Sequence, residues 1–127
     1  MELVRRSLER FNRGALDAQT SEFDPQIEWH DQRELPGATV HHGLDATVEH
    51  LRSVQRILPG YRVDADELVD AGGTVVVSGR VSARGGASDV PVDRPFFAAI
   101  TIRSGLIRRV AIFGSRAEAL EAARPPQ

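Results

Sequence analysis

The sequence predicts an α+β domain in which helices cover one face of a curved antiparallel sheet. Three observations lead to this prediction. The first half of the chain holds three segments with helical periodicity and one strand, whereas the second half holds four long segments of strand character. No linker or internal repeat divides the 127 residues, a length typical of one domain. A strongly curved sheet with N-terminal helices on its concave face forms a cone with an apolar interior, where a small molecule can bind.

Two helices open the chain. Apolar residues recur at the spacing of one helix face over residues 3–13, and Gly14 follows as a stop signal. A second, shorter helix is predicted over residues 15–22, and it ends before Pro25. Arginines occupy the opposite face of the first helix, which we interpret as a solvated surface.

A strand follows over residues 26–31. Its alternation places Ile27, Trp29 and Asp31 on one face. Residues 32–43 are rich in glycine and proline, so they are predicted to be mostly loop.

The third helix is predicted from about Asp45 to Leu58, and Pro59 terminates it. Four strands then follow, over residues 61–69 with a bulge before Leu68, 74–84, 92–103 and 106–113. Ser115 and Glu118 have the spacing of a capping box, which predicts a short last helix through Ala123. Residues 85–89 are predicted to be a flexible polar loop, and residues 124–127 a flexible tail.

The composition excludes several functional classes. A formal net charge of −2 is unlike that of a dedicated nucleic-acid binder. The chain has no cysteine and no lysine, so disulfides, thiolate nucleophiles, cysteine-bound zinc and lysine Schiff bases are impossible. The N-terminal residues lack the apolar stretch of a signal peptide, and no run approaches the ~20 apolar residues of a membrane span. We therefore expect a soluble, cytoplasmic protein.

Several ordered landmarks resemble one protein family. They are Phe11-Asn12-Arg13-Gly14, residues 23–31, Gly43-Leu44-Asp45-Ala46, Gly105-Leu106-Ile107 and Ile112-Phe113-Gly114. Together they resemble the SnoaL-like group of the nuclear transport factor 2-like superfamily, over nearly the whole chain. The resemblance implies the cone fold. It leaves activity open, because the superfamily includes ketosteroid isomerases, polyketide cyclases, epoxide hydrolases, dehydratases and non-catalytic members.

The resemblance makes Asp31 the candidate catalytic residue. Counted from Phe23, Asp31 falls where the related ketosteroid isomerases place the aspartate that shuttles a proton. A carboxylate in an apolar cone has its pKa raised by desolvation, which suits proton transfer near neutral pH. The alternative is that Asp31 ends the strand and caps the following loop.

The other parts of the known catalytic sets are incomplete. Where the isomerases carry an oxyanion-hole tyrosine on the first helix, this chain has Ser7, and the later strand offers only Phe96, Phe97 and Ala98. Each such donor contributes about 3–4 kcal/mol to transition-state stabilisation. The epoxide hydrolases use an Asp-Arg-Asp set that spans two strands. Here Arg80 lies on one predicted strand, but the last strand, residues 106–113, has no acidic residue, so this set is also incomplete. Steroid isomerisation by the known mechanism is therefore not expected.

The remaining candidates are residues expected to line the pocket. The predicted substrate-binding set is Ile27, Trp29, His42, Leu51, Phe96, Ile100 and Phe113. His41 or His42 is a candidate proton-transfer partner of Asp31 at the pocket mouth.

The four histidines at positions 30, 41, 42 and 50 lack the spacing of known metal sites, so we expect neither a metal nor a cofactor. Strand parity also turns His30 away from Asp31.

Two functions remain open from the sequence. The first is a cofactor-independent isomerase, cyclase or lyase that acts on a small hydrophobic metabolite through Asp31. The second is a non-catalytic small-molecule-binding or accessory domain that uses the same cone. We also expect a homodimer formed through the convex sheet face, where residues such as Ala99 and Thr101 carry little charge.

Overall fold

One curved, open sheet organises the chain in the computed structural model, which describes residues 1–32, 39–84 and 91–124. Within these ranges, six strands are arranged in the order β2-β1-β6-β5-β4-β3. The strands are β1 (Phe23–Asp31), β2 (Thr39–His42), β3 (Arg62–Asp70), β4 (Thr74–Arg84), β5 (Pro91–Arg103) and β6 (Leu106–Phe113). The helices are α1 (Glu2–Asn12), α2 (Leu16–Thr20), α3 (Leu44–Ile57) and α4 (Arg116–Ala122). The predicted α+β cone with N-terminal helices is confirmed.

Neighbouring strands run antiparallel except for β1 and β6, which pair in parallel. Phe23 of β1 lies opposite Ile107, and Asp31 lies opposite Ile112. Residues 32–105 separate these two strands in the sequence. No tight hairpin connects them, so they are free to run in parallel. The predicted bulge in β3 is present, between Ala65 and Glu67.

The prediction of a loop over residues 32–43 is wrong for residues 39–42, which form β2. This strand pairs with β1 and places His41 opposite Trp29 and Thr39 opposite Asp31. β2 has only four residues and lies at an edge of the sheet. The predicted flexible loop over residues 85–89 lies outside the described residues, as does the predicted tail beyond Arg124.

The main core lies between the concave face of the sheet and the first three helices. Buried residues of all three helices contribute to it, including Val4, Phe11, Leu16 and Leu51. They pack against alternate residues of the strands, as the period of two in a strand requires. This packing leaves the space in which the candidate site lies.

Helix α4 packs on the opposite face of the sheet. Its Ala119 and Leu120 join a second apolar cluster with Val76, Phe97 and Phe113. The predicted capping box opens this helix, since Ser115 Oγ accepts a hydrogen bond from the backbone N–H of Glu118 at 3.2 Å. α4 therefore covers part of the face through which a dimer is expected, and that dimer stays a prediction.

Polar contacts fix α1 over the concave face. Buried Glu22, which follows α2, accepts hydrogen bonds from Arg6 and Arg10 of α1, each at 2.8 Å. At the end of α1, the side-chain amide of Asn12 both donates to and accepts from the backbone of Val63 in β3, at 2.8 Å in each case. These contacts connect α1 to the end of α2 and to β3.

Among the described residues, no helix is both long and apolar enough to cross a membrane.

Candidate functional site

A cavity of about 90 Å³ lies between the first three helices and the concave sheet face. This is several times the roughly 10–15 Å³ that a cavity needs in order to hold one water molecule. Most of its wall is apolar and comprises Val4, Leu8, Phe11, Phe23, Leu51, Val54, Val63, Phe96, Ile100, Ile107, Val110 and Ile112. The cavity thus offers an apolar ligand a surface to replace water.

Five residues with polar atoms interrupt this apolar wall: Ser7, Gln19, Trp29, His50 and Tyr61. Two of their polar atoms, Gln19 Oε1 and Trp29 Nε1, are buried and have no hydrogen-bond partner among the described residues. A buried polar atom of this kind costs about 1–3 kcal/mol when it stays unpaired. Functional sites are among the places where such unpaired atoms occur.

A histidine pair, His41 and His50, lies beside Trp29. The two imidazole rings are stacked with centroids 4.3 Å apart and planes 23° apart. The His50 ring also lies 5.9 Å from the ring of Trp29, and His50 lines the cavity. His41 Nε2 is a further buried atom that has no hydrogen-bond partner within residues 1–32, 39–84 and 91–124. The imidazole of His50 therefore forms part of the cavity wall next to Trp29, and His41 lies behind it.

Asp31 lies beyond Trp29 on the same strand. Strand parity puts both side chains on one face of β1, and Asp31 is half-buried. It is not among the residues that line the cavity, whose nearest member on β1 is Trp29. The structure therefore places the candidate acid next to the cavity rather than in its wall.

Four of the seven predicted substrate-binding residues line the cavity: Trp29, Leu51, Phe96 and Ile100. Ile27 is fully buried in the core and is not a lining residue. His42 is exposed and lies opposite Glu28, on the other side of β2 from His41.

Phe113 lies on the opposite sheet face, in the cluster under α4. Neighbouring strand residues point to opposite faces, and Ile112 already occupies the cavity side of β6.

Of the five lining residues with polar atoms, the predicted set contained only Trp29 and lacked Ser7, Gln19, His50 and Tyr61. His50 falls at i+3 from Thr47 and precedes Leu51, positions that recur on the inward face of α3. That helical spacing is a signal for an inward-facing histidine. Ser7 and Gln19 gave no comparable signal, because polar residues on helices are usually solvated.

The acidic residue nearest to Asp31 on β1 faces away from the cavity. A hydrogen bond of 2.9 Å joins Glu28 Oε1 to His30 Nε2, and Arg108 lies 3.6 Å from the same carboxylate. The hydrogen bond with His30 is the main reason that the pKa of Glu28 lies below its ordinary value of 4.5. His30 thus points away from Asp31, as strand parity predicts.

In the described ranges, no group of three or more His, Asp or Glu side chains is arranged to hold a metal ion.

The sequence of residues 4–110 matches the model of the SnoaL-like domain family. The chain belongs to this family. The match covers most of the 127 residues and includes α1, β1, α3 and most of β6, so it spans the elements that build the cavity. No curated protein matches the sequence.

Solved structures share the fold of this SnoaL-like domain. An NTF2-like protein of unknown function from Burkholderia pseudomallei superimposes with a TM-score of 0.79 at 21% identity, covering 95% of this chain and 94% of that one. A proposed polyketide cyclase from Sinorhizobium meliloti gives 0.71 at 23% identity, with 88% and 94% covered. A protein with a ketosteroid isomerase-like fold from Catenulispora acidiphila, in complex with trimethylamine, gives 0.80 at 14% identity, with 98% and 94% covered. At these identities the likeness establishes the fold alone.

Proposed function

We propose that this SnoaL-like protein binds a small, largely apolar molecule in the cavity and acts on it as a cofactor-independent isomerase, cyclase or lyase. Asp31 is the proposed general acid/base, and it exchanges a proton with the part of the ligand that projects past Trp29. The observation that carries the proposal is the apolar cavity beneath the three helices.

The lining favours binding for an energetic reason. Transfer of apolar surface from water into such a cavity contributes roughly 25 cal/mol for each Å² buried. The aromatic rings of Phe11, Phe23, Trp29 and Phe96 suit a flat ligand, since ring pairs gain additional energy from stacked or edge-to-face contacts. A cavity of about 90 Å³ suits one ring better than a steroid skeleton.

The proposed chemistry rests on the position of Asp31. The carboxylate lies on the cavity side of β1, half-buried and two residues after Trp29. A carboxylate at this position can accept a proton from a ligand that reaches past Trp29 and return it. The likeness to a proposed polyketide cyclase and to a ketosteroid isomerase-like fold supports the same class of reaction.

The test compares Asp31→Asn with the wild type. Both proteins are screened by thermal shift against small cyclic ketones, hydroxy-ketones, phenols and terpenoid epoxides, and each hit is then assayed for conversion. We expect Asp31→Asn to bind the hit with similar affinity but to convert it about 10²- to 10⁴-fold more slowly. Glu28→Gln is the matched control, because Glu28 lies on the same strand but faces away, and its turnover should not change. Unchanged turnover in Asp31→Asn would contradict the catalytic role.

A second candidate function is ligand binding without catalysis. It is favoured by one observation: within the described part of the chain, no carboxylate lines the cavity. On this alternative, the same screen yields a saturable ligand that neither protein converts, and Asp31→Asn alters affinity alone.

A further inference from the structure

Gln19 and Ser7 are polar residues buried in the cavity wall. Gln19 lies on α2 and is 4% exposed, and Ser7 lies on α1 and is 5% exposed. Both line the cavity, and neither side chain hydrogen-bonds to another described residue. Gln19 Oε1 in particular is fully enclosed without a donor.

Such an arrangement is costly for the ligand-free protein. A buried amide or hydroxyl without a hydrogen bond loses its interactions with water and gains nothing in return. Leucine in place of Gln19, or alanine in place of Ser7, would fill the same positions at lower cost. A bound group that completes these hydrogen bonds would remove the penalty.

The charge of the missing group follows from the surroundings. Among the described residues, no arginine, aspartate or glutamate lines the cavity, and Arg6 and Arg10 of α1 each pair with Glu22 at 2.8 Å. An ion bound beside Gln19 would therefore find no arginine or carboxylate in the wall, and His50 is the one lining side chain among the described residues that can become a cation. Because unpaired charge is disfavoured in a largely apolar cavity, we take the group to be neutral.

The hydrogen-bonding pattern narrows the group further. Gln19 Oε1 accepts only, so the ligand must donate to it. A hydroxyl both donates and accepts, so it can donate to Gln19 Oε1 and keeps an acceptor for the hydroxyl of Ser7, which lines the same cavity. Aromatic rings elsewhere in the wall, including Phe11 and Phe23, suit a flat ring attached to that hydroxyl.

We infer that Gln19 and Ser7 form a subsite for the neutral hydroxyl group of a single-ring ligand of the phenol class. This inference rests on the proposed binding function, and it deepens that function by naming the ligand group that binds to α1 and α2. The subsite holds the ligand from α1 and α2, while Trp29 and His50 border it from β1 and α3.

The test uses phenol and toluene, which have the same size and differ in a hydroxyl against a methyl group. Affinities of both probes are measured by ligand-observed NMR or calorimetry for the wild type, Gln19→Leu and Ser7→Ala. We expect each substitution to lower the affinity for phenol relative to that for toluene by about two- to tenfold, the effect of one neutral hydrogen bond. Benzoate, which carries a charge at the same position, should not bind.

Two further measurements make the result specific. Gln55→Leu is the matched control, because Gln55 is a half-buried glutamine of α3 that does not line the cavity, and its phenol-to-toluene ratio should equal that of the wild type. Thermal unfolding without ligand should show Gln19→Leu at least as stable as the wild type, since it removes the enclosed, unpaired Gln19 Oε1.

The outcomes separate the two proposals. If toluene binds and the phenol-to-toluene ratio is the same in all proteins, the subsite is refuted while the binding cavity stands. Tight binding of benzoate would likewise overturn the neutral-ligand assignment alone. If no ring compound binds, both the subsite and the proposed binding function fail.

Discussion

Gly79 lies in β4 where the bulged strand β3 comes unusually close. A Cβ atom added at this position would overlap the carbonyl oxygen of Asp64 and lie 2.9 Å from Cα of Ala65. We expect Gly79→Ala to lower the free energy of unfolding by about 1–3 kcal/mol, because the backbone of β3 must move to accept the methyl group. Urea unfolding of the wild type and the variant measures this loss.

Gly114 provides the control for that substitution. The nearest atom to an added Cβ there is Glu118 Oε1 at 4.0 Å, so the methyl group meets open space. Gly114→Ala should change the free energy of unfolding by no more than about 0.5 kcal/mol. Equal losses in the two variants would show that crowding against β3 is not the cause.

Glu28 should contribute to the acid sensitivity of the protein. Its pKa is lowered in the folded state, mainly by the hydrogen bond with His30. The interaction therefore stabilises the fold at pH values above 4.5, the ordinary pKa of the carboxyl group. That stability is lost as the pH falls through the lowered folded-state pKa. We expect the wild type to lose more stability than Glu28→Gln between about pH 6 and pH 3. Chemical denaturation of both proteins at the two pH values measures the free energies of unfolding. Equal losses of stability in the wild type and Glu28→Gln would contradict this role of Glu28.

The sequence predicted some individual residues of the site and not others. Trp29, Phe96 and Ile100 could be placed in the cavity wall because strand alternation fixes the face of an apolar residue. Phe113 was placed wrongly in the pocket, since periodicity cannot say which of two neighbouring apolar residues, Ile112 or Phe113, faces the helices. The burial of Gln19 depends on how α2 meets the sheet, which no local pattern encodes.

At the scale of the element, α4 depends on its first turn. Ser115 Oγ accepts a hydrogen bond from the N–H of Glu118, which satisfies one of the free donors at the start of a seven-residue helix. We expect Ser115→Ala to reduce stability by about 1 kcal/mol, the usual effect of removing a capping hydroxyl. Thermal unfolding measures the change.

Ser53 serves as the comparison for Ser115. It lies within α3, and its hydroxyl accepts only from the exposed Arg56. Ser53→Ala should therefore leave stability nearly unchanged. A loss as large as that of Ser115→Ala would mean that capping does not explain the effect.

Elements with strong local signals were predicted closely. The turn at residues 70–73 and the one at 104–105 fix two hairpins, because glycine at these positions adopts the positive φ that a tight turn needs. β2 escaped prediction because four residues with a single aliphatic side chain, Val40, carry too little alternation to indicate a strand. The sheet face on which α4 packs depends on tertiary contacts and could not be predicted from the sequence of α4 itself.

At the scale of the whole molecule, occupation of the cavity should stabilise the fold. A ligand at 100 times its Kd raises the free energy of unfolding by about 2.7 kcal/mol if it binds only the folded state. We expect toluene to do this for the wild type. It should not do so for Val54→Phe, which places a ring in the cavity from α3. Thermal unfolding with increasing toluene tests the expectation, and equal stabilisation of both proteins would place the binding site elsewhere.

The global architecture followed from the order of helices and strands, together with landmarks spread over nearly the whole chain. A curved sheet with helices on its concave side encloses space whatever its detailed contacts, so the cavity was predictable in kind. Its polar composition was not, because the positions of Ser7, Gln19 and His50 in the wall arise only when α1, α2 and α3 close over the sheet.

The parallel pairing of β1 with β6 has a consequence for how the chain reaches its folded state. Arg108 of β6 donates a hydrogen bond to the backbone carbonyl of Gln26 in β1, 82 residues earlier. During synthesis, β1 can therefore pair with β6 only after about 80 further residues have been made. Contacts of such long range slow folding relative to a helical bundle of the same size. Until β6 is available, the nascent N-terminal half exposes its apolar helix faces and β1. Aggregation therefore competes most strongly with folding at this stage.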